Sequence, residues 1–104
     1  MTIEEQTDIL WNSIRKGVHD PEELREAISI DEAYRVQLGL LDRFEANGEK
    51  LVGWKGGLTA KVIQERVGYH EPVFGFLLAS GHHASGGSFD FASLINPGFE
   101  NELC

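Results

Sequence analysis

Two glutamates near the end of the chain, Glu100 and Glu102, and one lysine near its middle, Lys55, have the types and spacing best suited to chemistry. If Glu100-Asn101-Glu102 is a strand, positions i and i+2 point to one side, so both carboxylates converge on one volume. Phe99 and Leu103 then face the other way, toward a core. Two unpaired carboxylates held close repel each other, which favours a hard cation between them or a proton retained on one. Oxygen-only ligation with water completing the shell suits Mg2+ or Mn2+ better than zinc. A solvent-facing edge of an acidic protein carries the same pattern, so the pair by itself leaves both readings open.

Lys55 lies in Leu51-Val52-Gly53-Trp54-Lys55-Gly56-Gly57. Strand alternation sets Leu51, Gly53 and Lys55 on one face and Val52 with Trp54 on the other. Glycines on both sides of the lysine allow a ligand or another backbone to approach it closely. A lysine partly withdrawn from water can anchor a substrate carboxylate or exchange protons, whereas one at a strand end can simply reach solvent. The remaining candidates are weaker. Adjacent residues on an extended chain point apart, so His82-His83 makes a poor bidentate ligand. His19 and His70 sit beside expected helix ends, and Cys104 has no evident activating base. Gly-Trp-Lys-Gly-Gly lacks both the spacing of a phosphate loop and a helix directly after its lysine.

The elements that must position these residues are legible from caps and periodicity. Thr2 and Glu5 form a Thr-x-x-Glu capping box ahead of Ile3, Leu10, Ile14 and Val18, and Gly17 supplies a stop. Asp20-Pro21-Glu22-Glu23 predicts a short second helix running to about Ile28. Ser29-Ile30-Asp31-Glu32 repeats the capping pattern and opens a longer helix with Ala33, Val36, Leu40, Leu41 and Phe44 on one side, ended by Asn47-Gly48. A strand at Leu51–Lys55 follows, then a helix capped by Thr59 that carries Val62, Ile63 and Val67 and stops at Gly68. A second strand is expected to begin near Phe99. The fold class is therefore α+β, with about four helices in a single region spanning residues 1–104.

Charge and composition narrow the function classes. Nine Lys and Arg against 17 Asp and Glu leave a net charge of −8. Such a surface repels phosphate backbones and anionic lipid, so neither nucleic acid nor membrane is an expected partner. The apolar fraction of 41% is enough for a packed core, expected to give a radius of gyration of about 13 Å. A single cysteine excludes an internal disulfide. The acidic start Met1-Thr2-Ile3-Glu4-Glu5 is unlike a signal peptide, so a cytoplasmic location is expected. All basic residues lie at or before Arg66, and between Pro72 and Phe99 the only charged side chain is Asp90. A stretch so poor in charge is expected to be covered by the helices, by another chain or by further sequence. The closing Pro-Gly-Phe-Glu-Asn-Glu-Leu reads as a turn opening a strand, which suggests the front part of a longer protein.

Taken together, the residues resemble the 2-keto-4-pentenoate hydratase/4-oxalocrotonate decarboxylase group of the fumarylacetoacetate hydrolase-like superfamily. The stretches that carry the resemblance are Ala33-Tyr34-Arg35-Val36-Gln37, Gly48-Glu49-Lys50-Leu51-Val52-Gly53-Trp54-Lys55-Gly56-Gly57-Leu58-Thr59, Pro72-Val73-Phe74-Gly75 and Ile95-Asn96-Pro97-Gly98-Phe99-Glu100-Asn101-Glu102. The resemblance implies a metal-dependent lyase acting on a small 2-hydroxy-dienoic or 2-oxo-enoic acid from aromatic ring cleavage. Glu100 and Glu102 match two of the group's three acidic Mg2+ or Mn2+ ligands, and Lys55 matches its active-site lysine. A divalent ion acts in such chemistry as Lewis acid and template for a dienolate, and the lysine holds substrate or relays a proton. Hydratase and decarboxylase outcomes share the dienolate.

On the resemblance, the third metal ligand and the β-rich catalytic domain lie outside these residues. Val73 stands where hydratases often carry an acid, which leaves the decarboxylase outcome open. Gly56 replaces a usual aliphatic residue, and Gly98 a usual basic one. The alternative is a non-catalytic domain whose uncharged face serves homo-oligomerisation or another interaction.

Overall fold

The computed structural model describes residues 1–104. Two long helices form where the caps predict them. Helix α1 (Ile3–Arg15) opens on a complete capping box, with the Thr2 side chain accepting from the Glu5 N–H and Glu5 accepting from the Thr2 N–H. Helix α2 (Ile30–Ala46) repeats the device with Ser29 and Glu32. In both boxes the accepted backbone hydrogen bond holds the glutamate below the ordinary carboxylate range. Gly17 and Gly48, at φ +81° and +91°, end these helices in the left-handed conformation that glycine adopts without penalty.

The expected helix after Pro21 is instead one 3-10 turn, Glu22–Leu24. The Asp20 carboxylate, expected as its cap, pairs with Arg25 at 2.8 Å, and the winding stops where Arg25 turns extended, with Glu26 at φ +59° after it.

The two long helices cross closely. Thr7 is 2% exposed, and a Cβ on Gly39 would lie only 3.0 Å from its hydroxyl oxygen, which itself donates to the Ile3 carbonyl. Leu24, Val36, Leu40 and Leu41 form the buried apolar core around this crossing. Arg43 of α2 ties the pair together by donating to Glu4 and Asp8 of α1 at 2.7 and 2.8 Å.

Strand β1 (Leu51–Gly57) pairs antiparallel with β2 (Val73–Leu78), and the short helix α3 (Lys61–Val67) lies in the connection. Ala60 rather than Thr59 occupies the N-cap of α3, without a side-chain bond. In the sheet Trp54 is opposite Phe76, Lys55 opposite Gly75 and Gly56 opposite Phe74. The pairing shifts register at Val52, between Leu51 and Gly53. Edge-to-face rings run from Trp11 through Phe44 to Phe76 and Trp54, joining α1, α2 and the sheet.

The expected second strand near Phe99 does not form. Residues 94–104 carry no regular structure because neither strand of the two-stranded sheet takes them as a partner, and a lone extended segment has nothing to satisfy its backbone. Nor do the helices cover the charge-poor stretch. Phe74, Phe89 and Phe91 are 57%, 59% and 75% exposed, and the radius of gyration is 15.0 Å rather than the expected value. The architecture is α+β, as expected. No helix is long and apolar enough to cross a membrane.

Candidate active site

Lys55, Glu100 and Glu102 come together. Lys55 Nζ donates to Glu102 Oε1 at 3.3 Å. Lys55, Gly98, Phe99, Glu100 and Glu102 line a single open pocket of about 630 Å³. Both glutamates open onto one volume, as i, i+2 spacing predicts, but from an irregular segment and not from a strand. Phe99 and Leu103, expected in a core, are 94% and 104% exposed, and Phe99 borders the same pocket.

Each member is placed by local chemistry. Lys55 sits on the face of β1 away from the Trp54–Phe76 ring contact, opposite Gly75. A Cβ on Gly75 would lie 4.0 Å from Lys55 Cγ, so the neighbouring strand leaves the lysine stem free of crowding. Beyond β1 the chain turns through Leu58 at φ +51°, and the Gln64 side chain donates to its carbonyl at 2.6 Å, holding the exit. The glutamates are delivered by the turn at Asn96 (φ +44°), a residue type that tolerates the left-handed region, followed by Pro97 and Gly98.

Sequence reasoning missed two positioning residues. On α2, Gln37 Nε2 donates to the Phe74 carbonyl at 2.8 Å, and Tyr34 Oη accepts from the Phe74 N–H at 3.3 Å. Both groups of one β2 residue are thus held from a helix. Phe74 is opposite Gly56, and the next residue, Gly75, is opposite Lys55. The clamp therefore sets where the lysine strand lies relative to the helices. The signal was the i, i+3 spacing of two polar residues on one side of a helix within Ala33–Gln37, which periodicity alone assigns to a solvated face.

The electrostatics are those of a half-open polar site. Lys55 and Glu102 side chains are 44% and 46% exposed, so their attraction is strongly screened. Glu100 makes no salt bridge. In kind, the donor set fits a hard divalent ion: two carboxylates opening onto water-accessible space, with room for the hydration that Mg2+ retains. In number it is sparse, since no group of three or more His, Cys, Asp or Glu side chains is gathered to hold a metal.

The other candidates lie elsewhere. The His83 ring packs edge-to-face on Phe89 at 4.6 Å, and Cys104 is an exposed free thiol. Val73, the position where an acid was at issue, is opposite Gly57. A Cβ on Gly56 would meet only the Thr59 methyl at 3.8 Å, and one on Gly98 would meet nothing. Neither glycine is therefore enforced by space.

No family model matches the chain. Curated relatives do. It is 38% identical over 77 residues to 2-hydroxypent-2,4-dienoate hydratase of Pseudomonas putida, a match covering 73% of this chain and 35% of the relative. It is 41% identical over 71 residues to 2-keto-4-pentenoate hydratase of Burkholderia vietnamiensis, covering 68% and 27%. A 4-oxalocrotonate decarboxylase of Pseudomonas putida is 32% identical over 99 residues, covering 95% of this chain and 36% of the relative. The chain thus spans about a third of the length of the relatives it matches. On these matches the chain is a homologue of the N-terminal part of the 2-keto-4-pentenoate hydratase/4-oxalocrotonate decarboxylase group, within the fumarylacetoacetate hydrolase-like superfamily.

Proposed function

We propose that this chain supplies the lysine and two metal-ligating carboxylates of a divalent-metal-dependent lyase acting on 2-hydroxy-dienoic or 2-oxo-enoic acids from aromatic ring cleavage. The observation that carries the reading is the convergence of Lys55, Glu100 and Glu102 on one pocket from segments 45 and more residues apart. The names of the relatives supply the reaction class: hydratase or decarboxylase.

Glu100 and Glu102 would hold Mg2+ or Mn2+, which when bound supplies Lewis acidity toward the substrate's carboxylate and 2-oxygen. Lys55 contributes a mobile positive charge on a four-carbon stem. It can hold the substrate carboxylate, and its Nζ can take or return the proton that moves during tautomerisation. Gly98 and Gly75 keep the approach to Nζ unobstructed. Because hydration and decarboxylation share one dienolate, the three side chains serve either outcome.

Titrating the isotopically labelled chain with Mg2+ and a 2-oxo acid tests the reading by nuclear magnetic resonance. Shifts are expected at Lys55 and across 98–102, with weak metal binding, because two carboxylates form only part of a shell. Tight stoichiometric Mg2+ binding, or shifts confined to other residues, would contradict it.

A second reading draws on the exposure of Phe74, Phe89 and Phe91 in the charge-poor stretch. On it, this face serves self-association and the chain is a non-catalytic oligomerisation domain. Sedimentation showing a strict monomer at high concentration would count against this reading.

A further inference from the structure

We propose that Lys55 is the resident counter-ion of Glu102, displaced when a divalent cation takes that carboxylate, so that cation binding frees the ammonium for the substrate. The proposal rests on the reading of Glu100 and Glu102 as metal ligands and adds an order of events to it.

Three observations carry it. First, Lys55 Nζ lies 3.3 Å from Glu102 Oε1, so one of the two carboxylates is already engaged by a cation belonging to the protein. Second, the pair is nearly half exposed on both sides, which places it among ion pairs held by a small margin. A doubly charged ion brings twice the charge to the same oxygens, while Glu100, lining the same pocket without a salt bridge, offers it a second carboxylate. Third, the lysine has somewhere to go. Gly75 lies directly opposite it, and Gly53 and Gly57 flank it on the same face of its own strand, so the long stem has open space between Leu77 and Val73, the partner-strand side chains on either side. No other basic residue lines the pocket, so Lys55 is the one protein cation there to be exchanged.

The exchange would couple two requirements of the chemistry. While Lys55 is engaged with Glu102, its ammonium is shared with that carboxylate and a substrate carboxylate gains less from it. Once Glu102 exchanges its partner, the ammonium would turn outward as an anion-binding group beside a carboxylate pair whose negative charge the bound ion would offset. Cation and substrate anion then bind in that order with positive coupling.

The test uses Mn2+ alone on the 104-residue chain, followed by electron paramagnetic resonance of the free ion. Lys55→Met is expected to bind Mn2+ up to about fivefold more tightly than the unaltered chain. Lys50→Met and Lys61→Met remove the same charge outside the pocket and are expected to change affinity much less. In the unaltered chain, acylation of the Lys55 amine, read by mass spectrometry against Lys16, Lys50 and Lys61, is expected to accelerate as Mg2+ is added. If Glu102→Gln abolishes Mn2+ binding but Lys55→Met binds no better than Lys50→Met, the exchange is overturned while the metal reading stands. If Glu100→Gln and Glu102→Gln leave Mn2+ binding unchanged, or the chain binds none, the metal reading fails and the exchange falls with it. Circular dichroism of Lys55→Met checks that its helices persist.

Discussion

The ion pair between Lys55 and Glu102 does little for stability. Both side chains are close to half exposed, and pairs of that kind couple by about 0.2–1 kcal/mol, less as salt rises. A double-mutant cycle of Lys55→Met and Glu102→Gln, read by urea unfolding, is therefore expected to return a coupling at or below the upper end of that range. The coupling should vanish at high ionic strength. Glu102→Gln should abolish the Mn2+ response and Lys55→Met should strengthen it, both leaving the fold intact, so ligand response and stability separate at this pair. By contrast, Arg43 is only 20% exposed and bonds two carboxylates of α1, so its loss should loosen the helix pair.

Helix starts and the helix-to-sheet clamp govern how the elements are set. Ser29→Ala removes the hydroxyl that accepts from the Glu32 N–H and is expected to cost about 1 kcal/mol in chemical denaturation. Glu5 and Glu32 are held below the ordinary carboxylate value by the backbone N–H groups of Thr2 and Ser29. A depressed folded-state value means that their stabilisation is present above the unfolded-state value near 4.5 and is lost as pH falls through the folded one. Glu5→Gln with Glu32→Gln should accordingly flatten the acid limb of stability against pH, with little effect near neutrality on its slope.

The clamp predicts a different signature. Gln37→Ala removes the donor to the Phe74 carbonyl, with an expected cost of about 1 kcal/mol. Amide exchange should quicken at Phe74 and across the facing β1 residues, Lys55 included, while α1 stays protected. Unchanged exchange in β1 would mean that the clamp does not position the lysine.

Across the whole molecule, burial is confined to α1, α2 and the turn that joins them. Gly39→Ala there places a methyl 3.0–3.1 Å from the Thr7 side chain, which is buried, β-branched and already bonded to Ile3. Overpacking of about 1–3 kcal/mol is set against roughly 1 kcal/mol of helix propensity, so a net lowering of the melting temperature is expected. The sheet is differently placed. It meets the helices through one ring contact, Phe44 to Phe76, and through the Tyr34 and Gln37 clamp, and much of its apolar surface remains in water. That imbalance fits a chain spanning about a third of its relatives' length, and it accounts for a radius of gyration above that of a close-packed domain.

Local chemistry by itself determined the ends of the two long helices, the position of β1, and the kinds of side chain present at the candidate site. Capping boxes, left-handed glycines and apolar periodicity act within a few residues of one another, so no distant partner has to be known. The partnership of Lys55 with Glu102, the grip of Tyr34 and Gln37 on Phe74, and the choice of Val73–Leu78 rather than Phe99 onward as the second strand were decided only by the tertiary structure. Each joins segments far apart in the chain, and strand formation in particular depends on which backbone lies alongside to share hydrogen bonds, a circumstance that no local pattern encodes.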